Sequence, residues 1–343
     1  MPLRMMAAKG LVPLQPNDMV GALFMLTFDP DASVRDTAVK TAMGLQERVL
    51  GTALRDEKVA APALGFMLDL HWSNDTSAEL LILNDSTPDD SVARVARNCN
   101  VRTGELIANN QLRLLRHEDI VRQLSLNPQL PKSLIDLVCD FCVRSGLVLA
   151  DVPAMSEARV RIYGAQAAEK PPDPGPTAEQ VLSVFKEEVT SEDAPPLEEK
   201  RKMNLTQLIS KMNIAEKIKL ATRGNKEARG ILIRDSNKLV CTATIRSPRI
   251  TDGEVLLQAA SKTAHEDVLR IIFSDRDWTK EYRIRMALVK NPKVPQAIAM
   301  RMMTTLRESD LKGLAKDKMV PQVVQQLAKK MTAPKEKPSG DGH

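Results

Sequence analysis

Apolar residues in this chain come in short runs separated by a recurring break. In "LVKNPKVPQAIAM", Leu288 to Met300, an apolar run ends at a basic residue. Asn291 and Pro292 follow, a single Val294 stands alone, and Pro295 opens the next run. The frame returns 26 residues later as "LAKDKMVPQVVQQ" and occurs 44 residues earlier as "TIRSPRITDGEVLL". The first half holds "VARNCNVRTGELIA", "SLNPQLPKSLIDL" and the looser "LTFDPDASVRDTAV". Asn, Asp and Ser supply turn chemistry, and a proline stops the helix before it. The lone apolar residue points inward, and Pro295 or Pro321 suits a first helical turn, where its missing N–H costs nothing.

This grammar predicts short amphipathic helices over residues 1–150 and again over 203–332. Between them, 151–202 reads as an acidic, Pro-rich linker ("EKPPDPGPTAEQ", "TSEDAPPLEEKRK"). One short helix is expected inside it, from about Thr177 to Val189, because Thr177 and Gln180 have capping-box spacing. Residues 333–343 read as a disordered tail. Units of this size bury their apolar sides only by stacking on neighbours, which makes a solenoid. The halves also echo each other. "VRTGELIAN" then "HEDIVR" in the first matches "ITDGEVLLQ" then "HEDVLR" in the second, at offsets of 149 and 148. The expected fold is an all-α, irregular solenoid in two repeat segments.

The stretch "EYRIRMALVKNPKVPQAIAMRMM" resembles the HEAT or armadillo and leucine-rich-repeat-variant classes of bacterial α-solenoid, at the level of repeat grammar. The resemblance implies a curved superhelix that binds partners and implies no catalytic site.

Composition agrees with helix. Of 343 residues, 43% are hydrophobic but only 3% aromatic, so the core must be built of Leu, Ile, Val, Met and Ala. No apolar run is long enough to span a membrane. The first residues, broken by Lys9, Pro13 and Pro16, do not read as a signal peptide. Four cysteines make no disulfide framework, so a reducing cytoplasm is expected.

Candidate chemistry is sparse. Cys139 and Cys142 form a CxxC pair in apolar surroundings, without a second pair or a Cys–His set, and read as core. His117 and His265 read as helix-start residues followed by acids. "SDRDWTKEYR", Ser274 to Arg283, carries Trp278 and Tyr282, either a wedge between repeats or a partner-binding anchor. With no phosphate loop, dinucleotide fingerprint, nucleophile elbow or ligand array, no cofactor is expected and the chain reads as non-enzymatic.

Charge is divided unevenly. Residues 1–150 carry −3, 151–203 carry −4 and 204–343 carry +12. Many cations of the last segment fall between helices: Arg223, Lys226, Arg229, Arg234, Lys238, Arg246, Arg249, Arg276, Lys280, Arg283, Lys290 and Lys293. Turns of one kind line up in a solenoid, so these residues are expected to form an anion-attracting ridge. Its partner is an acidic protein surface, the chain's own linker or nucleic acid, or else the charges are ordinary solvated surface. Scarce aromatics weigh against stacking single-stranded bases.

Overall fold

The structure is a computed structural model; it describes residues 2–54, 59–165, 175–187 and 198–333. Among them lie 24 helices and no strand. The chain divides into two compact units, Met1–Pro174 and Gly175–His343.

The first unit contains α1 (Pro2–Ala8), α2 (Pro16–Leu26), α3 (Ala32–Met43), α4 (Glu47–Leu54), α5 (Ala61–His71), α6 (Asp75–Leu83), α7 (Asp89–Ala96), α8 (Val101–Asn109), α9 (Gln111–Arg116), α10 (Glu118–Ser125), α11 (Lys132–Arg144) and α12 (Pro153–Tyr163). Helices pack both on their chain neighbours and on helices two or three further along. One layer runs α1, α3, α5, α7, α10, and the other α2, α4, α6, α8, α11. Helices of six to thirteen residues are marginal alone in water, so this stacking holds them. The core between the layers is aliphatic, with Leu23, Leu64, Met67, Leu81, Ile107 and Ile120 fully buried.

The second unit contains α13 (Ala178–Glu187), α14 (Glu198–Lys211), α15 (Ile214–Arg223), α16 (Lys226–Leu232), α17 (Lys238–Ile245), α18 (Asp252–Ala260), α19 (Glu266–Ser274), α20 (Arg276–Lys280), α21 (Tyr282–Lys290), α22 (Gln296–Met303), α23 (Glu308–Lys316) and α24 (Gln322–Thr332). The α13, α15, α17 and α19 helices stack in order. On the other side α18 packs on α21, and further along α22 packs on α24. This is a helical-repeat fold, as the sequence pattern implies.

The recurring break has a physical basis. Asp29, Asn84, Asn127, Asp235, Asn291 and Asp317 each accept a hydrogen bond from the backbone N–H two residues on, at 2.8–3.0 Å. This is the Asx-turn, which ends one helix and re-aims the chain. The asparagines do more. Buried Asn127 donates to the carbonyls of Ala96 and Cys99, and buried Asn291 to those of Ala259 and Ser261, all at 2.8–2.9 Å. Each therefore ties its turn to the turn one repeat earlier. Leu130, Val294 and Val320 follow as the inward apolar residues. Pro131, Pro295 and Pro321 sit at the N-cap with extended backbone, which for Pro295 and Pro321 is one position before the expected first helical turn.

Residues 151–202 are not one linker. Pro153–Tyr163 forms α12, which packs on α11 and buries Met155 and Ala158. Further on, Thr177 and Gln180 exchange capping hydrogen bonds at 2.9 and 3.2 Å and start α13, which packs on α15. The signal was present in Pro153, Met155 and Ala158, a first-turn proline followed by one apolar face. The linker residues 166–174 and 188–197, and 334–343 of the expected tail, lie outside the described residues. The matched blocks of the two halves also diverge locally. The α8 helix is capped by Asn100 and α18 by Thr251, and the short α9 has no counterpart between α18 and α19.

Candidate functional site

Alternating helix directions give the second unit two sets of turns, and hydrogen bonds show which turns are neighbours. Arg249 donates to the Arg223 carbonyl at 3.1 Å and Arg285 to Thr305 at 3.2 Å, while Tyr282 meets Arg307 and Asp310. These bonds join turns of the set 222–227, 246–254, 275–283 and 304–310, the first edge, with Arg285 reaching from the start of α21. Lys293 donates to the Ala264 carbonyl at 2.8 Å, Lys290 pairs with Asp317 at 3.3 Å, and Asn291 reaches Ala259 and Ser261. These belong to 233–238, 261–267, 290–295 and 316–321, the second edge.

The single ridge expected from the sequence is thereby split. Arg223, Lys226, Arg246, Arg249, Arg276, Trp278, Lys280, Tyr282 and Arg283 fall in turns of the first edge, and Arg229 lies just beyond them in α16. Arg234, Lys238, Lys290 and Lys293 fall on the second, joined by Lys262, Lys316 and Lys318, which the sequence reading passed over. The first edge carries eight basic and eight acidic residues in those turns and is balanced. The second carries seven basic and four acidic. The net positive charge of the turns therefore resides on the second edge.

Several first-edge residues are committed within the fold. Arg229 is buried, donates to Glu254 at 2.9 and 3.0 Å and reaches the Gly224 carbonyl. Burial alone would raise the Glu254 carboxyl, but hydrogen bonds from Arg229 and Thr251 hold it below the usual carboxylate range. Arg229 thus spends its charge on Glu254 inside the fold and does not offer it to solvent. Trp278 is half-buried against the core of the unit, in the short helix α20 that Asp275 caps at 2.8 and 3.0 Å. Tyr282 is also half-buried, bonded to Asp310 and flanked by the Arg307 and Arg285 guanidiniums at 4.9 and 5.5 Å from its ring centre. Both rings wedge repeats together and do not stand out as anchors. Lys280 pairs with Asp277 at 2.5 Å.

On the second edge Arg234, Lys238, Lys262, Lys316 and Lys318 are exposed. None of these five has a carboxylate at ion-pair distance among the described residues, although Lys262 acts on Asp317, whose carboxyl the Met319 N–H, Lys290 and Lys262 together hold below the usual carboxylate range. Met319, next to Lys318 in the chain, is 72% exposed.

The remaining candidates pack or cap. His265 caps α19, its Nδ1 accepting the Asp267 N–H at 3.2 Å, and His117 stands before α10 and meets Asp90 at 3.2 Å. Cys139 and Cys142 are fully buried, and burial pushes their thiols up to about 11 and about 12. Cys99 and Cys241 are likewise buried and raised to about 11. Thiols, not thiolates, are the species near neutrality. Iodoacetamide at pH 8 is therefore expected to leave all four unlabelled in the native protein and to label all four in denaturant, read by intact mass. Rapid native labelling of Cys139 or Cys142 would refute their burial. An apolar hollow of about 330 Å³ is lined by Gly175, Pro176, Gln180, Val181 and Leu208, none of them an acid, a base or a nucleophile. Among the described residues, no helix is long and apolar enough to cross a membrane. No family model matches the chain, and neither does any curated protein or solved structure.

Proposed function

We propose that this chain is a non-enzymatic adaptor, a helical-repeat protein of the HEAT, armadillo or leucine-rich-repeat-variant kind that works in the cytoplasm. Its second unit holds an acidic protein partner along the second edge. The supporting observation is the uneven distribution of charge over the two sets of turns. The first edge balances its charges and half-buries its aromatics, whereas the second keeps an excess of exposed lysine and arginine. A stiff stack fixes where those charges stand, and charge complementarity of this sort steers association and selects partners.

The test is affinity capture of the intact protein from its native cells, with and without nuclease, read by quantitative mass spectrometry. A defined set of proteins that survives nuclease is the expected result. Loss of the captured material on nuclease treatment would replace this reading with nucleic-acid binding through the same edge.

A further inference from the structure

The fold spaces the cations of the second edge, and that spacing selects the shape of what binds. We infer that turns 233–238, 261–267, 290–295 and 316–321 act as one row. It docks a single acidic peptide in the polyproline II conformation, with an acidic side chain at every third residue. An apolar residue at one end of that peptide meets Met319. The inference rests on the adaptor reading above and makes it specific.

Continuity of the row is carried by bonds. Asn291 and Lys293 join the third turn to the carbonyls of Ser261 and Ala264 in the second. Lys290 joins it to Asp317 in the fourth. The first turn opens α17, which packs on α19, the helix opened by the second. Packed helices lie about 8–10 Å apart, so successive turns repeat at about that distance. A polyproline II chain has three residues per turn and rises about 3.1 Å per residue, so every third side chain lies on one face at about 9 Å intervals. Each turn offers at least one exposed cation: Arg234 and Lys238, then Lys262, then Lys293, then Lys316 and Lys318. Lys293 gives one donor to Ala264, and an ammonium has three. A β-strand alternates its faces with period two and matches the row less well.

Two features favour a peptide over nucleic acid. These four turns contain no Phe, Tyr or Trp to stack on bases. They also hold Asp235, Glu266, Asp267 and Asp317 between the cations. Duplex DNA, with a charge about every 1.7 Å, would press phosphates against those carboxylates. A peptide charged at one residue in three passes them with neutral ones. At the end of the row Met319 and Val323 stand exposed beside Lys316 and Lys318, which supplies the apolar step.

The experiment uses the intact protein at low ionic strength and fluorescein-labelled peptides of about twelve residues, three for each of the four turns. One peptide repeats Glu-Pro-Ser. A second has the same composition with its glutamates in one block. A third is the repeat followed by Leu. Anisotropy is expected to show the repeat binding about tenfold tighter than the block, and the terminal Leu adding about threefold. Arg234→Glu, Lys262→Glu and Lys318→Glu together should weaken the repeat at least about tenfold, because each reversal turns an attraction into a repulsion. Arg223→Glu, Arg276→Glu and Arg283→Glu on the first edge should leave it unchanged. Circular dichroism melts of both variants that match the parent would show that folding is not the cause. Equal binding of repeat and block, both lost in the second-edge variant, would overturn the spacing and leave the acidic-partner reading standing. No binding by any peptide would overturn both. Tighter binding of oligo(dT) or duplex DNA than of every peptide at the same ionic strength would overturn both in favour of nucleic acid.

Discussion

Arg113→Ala is expected to lower the unfolding free energy by about 3–5 kcal/mol, the usual cost of removing one partner from a buried ion pair. Arg113 is 1% exposed and sits on the six-residue helix α9. Its guanidinium donates to the carbonyls of Asn84 and Thr87 and to Asp89, at 2.6–2.8 Å. Alanine would leave two carbonyls without this donor and open a space among packed side chains. Asp89 would keep Arg116, at 2.5 and 2.7 Å, which places the expected loss toward the lower end of the range. Arg113→Lys should recover only part of the loss, since an ammonium cannot span the three acceptors as a planar fork does. Chemical denaturation followed by circular dichroism measures it. A loss under about 1 kcal/mol, the size of an exposed pair, would show that α9 is not anchored by this side chain.

Asn291→Ala is expected to cost about 2–4 kcal/mol, because one buried amide serves three backbone groups and an orphaned buried group costs about 1–3 kcal/mol. The Ala259 and Ser261 carbonyls would lose their donor, and the Lys293 N–H its acceptor at 3.0 Å. Asn291→Asp is the sharper probe. It keeps the acceptor for Lys293 but sets a carboxylate against two carbonyl oxygens, so it should be at least as damaging as alanine. Asp317 fills the corresponding place in the next turn without harm, because there the second oxygen meets Lys290. Denaturant titration of both variants tests the scheme. An aspartate variant as stable as the parent would mean that the turn is not held by the amide donors.

What could be read from the chain followed the range of the interactions involved. Turn chemistry is local, so the Asn–Pro and Asp–Lys breaks, the lone Val294 and the Thr177–Gln180 cap are legible in short stretches of sequence. The all-helical repeat follows from them and from the lack of aromatics. The two-edge arrangement is not local. Assigning a turn to an edge requires counting every helix before it, and "SDRDWTKEYR" reads as one charged loop although it holds the separate helix α20. Buried arginines escaped for a related reason. Arg113 and Arg229 look like solvent charges until Asp89 and Glu254, 24 and 25 residues away, are brought to them by stacking. Met319 and Lys262 lie in turns of modest charge and gain interest only once the neighbouring turns are known.

The asparagine ties have a mechanical consequence. Asn84, Asn127 and Asn291 reach back 28 to 32 residues to Leu54, Ala96, Cys99, Ala259 and Ser261, which is one repeat. Each tie joins nearest-neighbour repeats only, so the energy of a unit is close to a sum of repeat and neighbour contributions. Loss of one tie is therefore felt at a single joint between repeats, while the turns beyond it keep their own bonds.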